Sequence, residues 1–149
     1  MKLLIRIILI LLISISAFGA SGTYQISSST DGGRTLGGVW SSTGSSDYFG
    51  NQNIFGVCDA ALRFSTPVTS GSTITTAYLI LNIQNVSAGM LATCSGIDEA
   101  ATATFSADPF SRDHTTATIP CSYANWSETS GWSNSDSLVS IIQEIVNLP

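Results

Sequence analysis

The sequence has 149 residues, 44% of them hydrophobic, with ten acidic and five basic side chains and a formal net charge of −5. A chain of this length suits one domain with a single hydrophobic core. The scarcity of basic residues argues against nucleic acid and anionic membranes as partners, because both are bound through clustered Lys and Arg side chains.

The N-terminal residues have the layout of a secretory signal peptide. Lys2 and Arg6 precede an uninterrupted apolar run from Ile7 to Ile13, and small residues follow it. Cleavage after Gly19 and cleavage after Gly22 fit the pattern equally well. An uncleaved membrane anchor is the alternative, but Arg6 interrupts early a span that needs about 20 apolar residues. We therefore predict a secreted or cell-surface protein with no membrane span once the signal is removed.

Removal of residues 1–22 leaves residues 23–149 as one predicted domain. It keeps three basic residues, Arg34, Arg63 and Arg112, against ten acidic ones, so its formal charge is 3 minus 10, or −7. Three arginines this far apart in the sequence do not build a basic patch.

The first part of that domain is rich in Gly and Ser. Tyr24 and Ile26 alternate with polar neighbours, which predicts a half-buried strand. The stretch from Ser27 to Asn53 predicts a long loop with one short strand at Val39 and Trp40.

The clearest periodic signal lies in the middle of the chain. A strand is predicted from Ala60 to Phe64 and a turn around Pro67 and Gly71, and from Thr75 onward apolar residues alternate. One face carries Ala77, Leu79, Leu81 and Ile83, and the other carries Tyr78, Ile80, Asn82 and Gln84. A period of two predicts a strand whose all-apolar face lies against the core, and Met90 to Ile97 predicts its partner strand.

The C-terminal part ends on a helical pattern. Asp108 and Pro109 mark a turn, and Thr116 to Ile119 predicts a short strand. Ser135 or Asp136 can cap a helix of about ten residues. Its apolar residues at helical spacing are Leu138, Ile141, Ile142, Ile145 and Val146. Several short strands with one helix predict an all-β fold, a jelly-roll-like β-sandwich with one short C-terminal helix.

Three stretches in sequence order carry a resemblance to a known repeat. They are "ALRFSTPVTSGSTITTAYLILNI", "GIDEAATATFSADPFSRDHTTATIPCSYANW" and "SDSLVSIIQEIVNLP". From about Phe55 to its end, the chain resembles a β-sandwich repeat of secreted and surface-exposed multidomain proteins from bacteria, archaea and some viruses. The resemblance implies a stalk, adhesion or ligand-binding module and not an enzyme.

This chain departs from the repeat pattern at two places. Asp98 and Glu99 stand where the family has an acidic segment with asparagine, so the resemblance alone does not assign a ligand or ion role to that loop. The family pattern continues past the helix with a Gly-Trp pair and a further apolar strand, whereas this chain stops at Pro149. We expect a reading frame cut short, because a free groove invites aggregation. The alternative is a sandwich whose open edge accepts a strand from another chain.

Three cysteines, Cys58, Cys94 and Cys121, are the disulfide candidates. An oxidising compartment allows one disulfide and leaves one thiol, and the spacing does not decide the pairing. We expect the remaining thiol to be buried, because free Cys often packs as a small hydrophobe. A link to a second chain or a bound metal are the alternatives.

The sequence offers few groups for catalysis or metal binding. His114 is the only histidine, and a Ser-His-Asp site needs three groups that converge, so we interpret His114 as a solvated loop residue. Zinc sites need several His or Cys ligands at motif spacing. Calcium takes oxygen ligands, and Asp31, Asp98 and Glu99 lie in or beside predicted loops. We expect no cofactor, with calcium at these carboxylates as the alternative.

Aromatic residues in the predicted loops are the ligand-binding candidates. Trp40, Tyr48, Trp126 and Trp132 can form a flat platform on which a sugar ring stacks. The alternative, which we favour, is that the later two tryptophans cover the end of the sandwich and brace the helix, because aromatic side chains dominate core packing through their area.

We expect a non-enzymatic exported surface module for adhesion or assembly, whose partner is a surface protein or a glycan. The alternative is a carbohydrate-binding module whose loop aromatics stack on glycan. A hydrolase ranks last, because the sequence has no paired carboxylates or nucleophile motif at recognisable spacing.

Overall fold

The computed structural model describes residues 21–42, 50–52, 56–83, 91–122 and 131–149. Most of the predicted signal peptide, Tyr48 and Trp126 therefore lie outside the described residues. The strands are β1 (Gly32–Leu36), β2 (Val39–Ser41), β3 (Gly50–Gln52), β4 (Gly56–Cys58), β5 (Ala60–Leu62), β6 (Ile80–Ile83), β7 (Leu91–Ile97), β8 (His114–Ser122) and β9 (Gly131–Asn134), and helix α1 is Val139–Val146.

Within these ranges the protein consists mostly of strands in small antiparallel sheets, with one short C-terminal helix. The strand orders are β2-β1-β5, β3-β4, β6-β9 and β7-β8. A mostly-β chain that ends on a helix is what the sequence predicts. No helix in the described ranges combines the length and the apolar character needed to cross a membrane.

Two strands of the sheet β2-β1-β5 lie in the region predicted as a long loop: β1, which was not predicted, and β2, which confirms the short strand predicted at Val39 and Trp40. Gly37 and Gly38, with φ angles of 58° and 79°, form the two-residue turn between β1 and β2, which needs positive φ. β1 has the sequence GGRTL, and its two glycines remove the alternation of apolar and polar residues that predicts a strand. β1 forms because it pairs with β2 on one side and with β5 on the other. The strand predicted at Tyr24 and Ile26 is wrong, because residues 21–27 form no strand.

The predicted central strand is shorter than expected and has a different partner. β6 begins at Ile80 and pairs with β9, whereas β7 pairs with β8. The predicted pairing with Met90 to Ile97 is therefore wrong. The two faces are as predicted where their side chains are described, because Ala77, Leu79 and Leu81 are half-buried and Tyr78, Ile80 and Asn82 are exposed. The side chains of Ile83 and Gln84 lie outside the described part.

The β7–β8 ladder contains an irregularity that receives the helix. Ser95 is opposite Thr118 and Ile97 is opposite His114, so two steps along β7 face four steps along β8. The excess residues of β8 form a bulge centred on Thr116. The neighbouring hydroxyl of Thr115 accepts from Gly96 N–H at 2.9 Å and donates to the Ala117 carbonyl at 2.9 Å.

Helix α1 packs on this ladder at Gly96. A Cβ built on Gly96 would lie 2.6 Å from Ile145 Cδ1 and 2.9 Å from Ile141 Cγ2, so the missing side chain allows the close approach. Ile141 is buried in the contact. The N-cap position is held by Leu138 without a side-chain hydrogen bond, so the predicted cap by Ser135 or Asp136 is wrong.

Two polar side chains of α1 connect the helix to backbone on either side. Gln143 Oε1 accepts from Ile74 N–H at 2.7 Å, and Gln143 Nε2 donates to the Ser72 carbonyl at 2.9 Å. Glu144 accepts the N–H groups of Thr116 at 2.7 Å and Ala117 at 2.8 Å. The helix thereby joins the 72–74 segment to the β8 bulge, whose N–H groups would otherwise need another acceptor.

An aromatic cluster lies beside the β2-β1-β5 sheet. Phe105 is buried, and Trp40 meets Phe105 and Phe110 edge to face, with ring centroids 5.9 and 6.1 Å apart. The Arg112 guanidinium lies 5.7 Å from the centroid of the Phe105 ring. Phe105 N–H donates to the Thr30 carbonyl at 3.0 Å, which ties this cluster to the turn before β1.

Candidate functional site

The outward side of the β6–β9 ladder carries the most exposed tryptophan in the described residues. Trp132 is 73% exposed and lies directly opposite Asn82, and Ile80 lies opposite Asn134. Alternate residues of a strand point to the same face. We call this surface the outer β6–β9 face, and its members are Tyr78, Ile80, Asn82, Trp132 and Asn134.

Hydrogen bonds beyond the ladder keep Tyr78 in line with this face. Ser135 N–H donates to the Leu79 carbonyl at 2.8 Å, and Leu79 N–H donates to Ser135 Oγ at 2.9 Å. One turn further, Leu138 N–H donates to the Ala77 carbonyl at 2.8 Å. The chain from Ala77 to Leu79 therefore continues the direction of β6 although it forms no regular ladder.

The outer β6–β9 face combines aromatic, aliphatic and amide groups. Tyr78 is 51% and Ile80 is 41% exposed. Residues four apart on a strand are about 13 Å apart, so Tyr78 and Trp132, at opposite ends of the face, are separated by roughly that distance. Each Asn side chain offers two N–H donors and one carbonyl acceptor. None of the five side chains carries a charge.

Trp40, the other described tryptophan candidate, does not belong to this face. It lies on β2, in a different sheet from Trp132, and its ring is half-buried against Phe105 and Phe110. Its Nε1 is buried and has no hydrogen-bond partner within the described residues. The predicted loop platform is therefore not assembled from Trp40 and Trp132, and Tyr48 and Trp126 lie outside the described residues.

The carboxylate of Asp31 is engaged by two side chains of the protein. Asp31 is 2% exposed, forms an ion pair with Arg63 and accepts from the Ser27 hydroxyl at 2.8 Å. The Ser27 hydrogen bond and the Arg63 charge hold the pKa of Asp31 below its ordinary value of 3.8. Arg63 also donates to the Thr102 carbonyl at 2.7 Å, so this pair fastens β5 to the turn before β1.

Asp98 and Glu99, the other two calcium candidates, follow β7 directly. Glu99 is 3.2 Å from Arg112, and Asp98 N–H donates to the Asp113 carbonyl at 2.9 Å. Asp98 Oδ1 is buried without a hydrogen-bond partner in the part of the chain described. The same part contains no cluster of three or more His, Cys, Asp or Glu side chains arranged to hold a metal ion.

The cysteines differ in state. Cys58 is a buried thiol with 2% exposure at the end of β4, and Cys94 on β7 is disulfide-bonded. The backbone of Cys121 pairs with Ala92 in the β7–β8 ladder, and its side chain lies outside the described part.

His114 forms a hydrogen bond with a serine but is exposed to solvent. Its Nδ1 is 2.9 Å from Ser95 Oγ across the β7–β8 ladder, and both side chains are exposed. The Phe110 ring lies 6.4 Å from the imidazole. No carboxylate is hydrogen-bonded to the imidazole within the described ranges, so the orienting group of a catalytic triad is missing there.

A groove at the C-terminal end of α1 is small. Its volume is about 120 Å³, and Val68, Ala100 and Ile145 contribute to its lining. Sites for small molecules commonly have volumes of about 300–1,000 Å³. The groove is thus too small for a typical substrate or cofactor pocket.

Sequence reasoning listed Trp132 among the ligand-binding candidates but favoured a role in covering the end of the sandwich, which is wrong because Trp132 is 73% exposed. It also placed Tyr78, Ile80 and Asn82 together on one side of a strand. It missed these three as site residues and did not consider Asn134. The alternation contained a signal for this site, because the predicted solvent-facing side of the strand includes two large hydrophobic residues, Tyr78 and Ile80. Neighbouring exposed hydrophobic residues often mark a binding surface.

Comparisons with known proteins give no relative for this chain. It matches no protein-family model, no curated protein and no solved structure.

Proposed function

We propose that this protein is a non-enzymatic, exported module for adhesion or assembly at a cell or particle surface, and that the outer β6–β9 face makes the contact. The observation that carries the proposal is the exposure of Trp132, at 73%, among Tyr78 and Ile80. Large aromatic side chains are enriched where proteins bind partners, and exposed apolar clusters mark such surfaces.

The proposed architecture is a jelly-roll-like β-sandwich of the surface-repeat type. Two observations support it: the antiparallel sheets of the described residues, and the half-buried side formed by Ala77, Leu79 and Leu81. Export is supported by the N-terminal pattern of Lys2 and Arg6 before an apolar run.

The proposed function is non-enzymatic because the described groups that could support catalysis do not form an enclosed site. The Ser95–His114 pair is exposed to water, and the groove beside α1 is small. Calcium has no part in the proposal, because the guanidinium groups of Arg63 and Arg112 already pair with Asp31 and Glu99, two of the three candidate carboxylates.

Binding to intact envelopes or particles of the encoding organism tests the proposed function. The purified secreted protein should co-sediment with them, and Trp132→Ala should reduce the bound fraction about tenfold or more, as truncation of an aromatic anchor does. Val39→Ser is the matched control, because Val39 is 69% exposed on a different sheet and should leave binding unchanged. Equal binding by wild type and Trp132→Ala would refute this contact surface.

A further inference from the structure

We propose that the outer β6–β9 face binds a neutral glycan. The Trp132 indole stacks on a sugar ring, and the amides of Asn82 and Asn134 form hydrogen bonds with its hydroxyl groups. This inference rests on the proposed function, because it names the ligand of the same contact surface.

The charges favour an uncharged ligand. The five side chains of the face are neutral, whereas the whole chain carries a formal charge of −5. An anionic polymer would therefore meet repulsion without any cationic group on the face to offset it.

The chemistry of the face matches what a sugar presents. A pyranose ring has an apolar side of C–H groups and a rim of hydroxyls, so it needs a flat apolar surface beside groups that both donate and accept. Trp132 supplies the first. Asn82 and Asn134 supply the second, because each amide has two donors and one acceptor, and Asn82 lies directly across the ladder from Trp132.

The face is long enough for more than one sugar ring. Ile80 lies diagonal to Trp132 across the ladder, and Tyr78 lies two residues further along the same face. Tyr78 thus offers a second flat ring about 13 Å from Trp132. This spacing favours an extended polysaccharide over a free monosaccharide.

Affinity gel electrophoresis of the full secreted protein tests the inference. The native gels contain a neutral polymer (hydroxyethylcellulose, xylan or galactomannan) or an anionic one (alginate or polygalacturonate). We expect at least one neutral polymer to retard the protein. Trp132→Ala should weaken the apparent association about tenfold or more. Asn82→Ala and Asn134→Ala should each weaken it about two- to tenfold, the effect of one lost hydrogen bond.

Matched variants separate loss of binding from loss of structure. Trp132→Phe keeps a stacking ring and should retain most of the association, and Val39→Ser should match wild type. Retardation by anionic polymers alone, or by no neutral polymer, overturns the inference, as does equal retardation of Trp132→Ala and wild type. If neutral polymers fail while Trp132→Ala still loses binding to envelopes, the glycan is wrong and the proposed function stands. If neither assay responds to Trp132→Ala, both are wrong.

Discussion

Glu144 shows how one side chain can hold an element in place. Its carboxylate accepts two backbone N–H groups and the Thr116 hydroxyl, all from the β8 bulge. These hydrogen bonds hold the pKa of Glu144 below its ordinary value of 4.5, and the bond from Ala117 N–H has the largest effect, followed by that from Thr116 N–H. Because the folded-state pKa is depressed, the stabilisation is present above the ordinary pKa and is lost as the pH falls through the lower, folded-state pKa.

Glu144→Gln should therefore lower the melting temperature at pH 7 and flatten the loss of stability on acidification. The neutral amide accepts more weakly than a carboxylate, and it no longer titrates. Thermal melts between pH 7 and pH 3 measure both effects. Asp113→Asn removes the same charge at an exposed position and should leave the pH 7 melting temperature close to wild type. Parallel pH curves for Glu144→Gln and wild type would contradict this account.

At the scale of the element, α1 is defined by what it touches and not by its caps. Three contacts hold the helix against different parts of the chain. Ile141 and Ile145 pack on Gly96 of β7. Gln143 accepts from Ile74 N–H, and Glu144 accepts from Thr116 N–H in the β8 bulge. Its C-terminal end is also fastened, because Gly71 N–H donates to the Val146 carbonyl at 2.8 Å. A helix of 8 residues is too short to be stable alone, so these contacts decide whether it forms.

Gly96→Ala should destabilise the protein by about 1–3 kcal/mol, the usual cost of overpacking. The new methyl group would meet Ile145 and Ile141, which must then move. Urea denaturation measures the change in the free energy of unfolding. Ser95→Ala, on the exposed side of the same strand, should change that free energy by no more than about 0.5 kcal/mol. If Gly96→Ala is as stable as wild type, the helix does not pack at this position.

Gln143→Ala should destabilise the protein by about 1–3 kcal/mol, because it leaves Ile74 N–H and the Ser72 carbonyl without their partner. Hydrogen exchange followed by NMR gives the specific readout. The Ile74 amide should be protected in wild type and exchange faster in the variant, while the Leu79 amide, which donates to Ser135, should keep its protection. Unchanged exchange at Ile74 would exclude the bridge.

At the scale of the whole molecule, the sequence predicted elements better than their arrangement. Alternation from Ala77 to Asn82 gave the correct faces, since the period of two depends only on the strand itself. The alternation could not predict which strand pairs with β6, because the backbone edges of different strands offer similar hydrogen-bonding groups. β6 pairs with β9 and not with β7. The helix was predicted from its apolar spacing, but its mode of docking was not, because a bulge in β8 leaves no periodic signal.

Most members of the candidate site could also be predicted from the sequence, but their arrangement could not. Composition identified Trp132 as an aromatic of interest, and alternation placed Tyr78, Ile80 and Asn82 on one side. Only the β6–β9 register brings Trp132 opposite Asn82 and adds Asn134. Trp40 was misjudged because burial against Phe105 and Phe110, residues distant in sequence, cannot be read from its own neighbours.

The central claim is that the outer β6–β9 face is the ligand-binding surface, and fluorine NMR of the protein labelled with 5-fluorotryptophan tests it most directly. The chain has three tryptophans, Trp40, Trp126 and Trp132, and single Trp→Phe variants assign their resonances. Titration with a soluble oligosaccharide of the neutral polymer that retards the protein should shift the Trp132 resonance and leave that of Trp40 in place. A shift confined to Trp40 or Trp126, with Trp132 unmoved, would contradict the account.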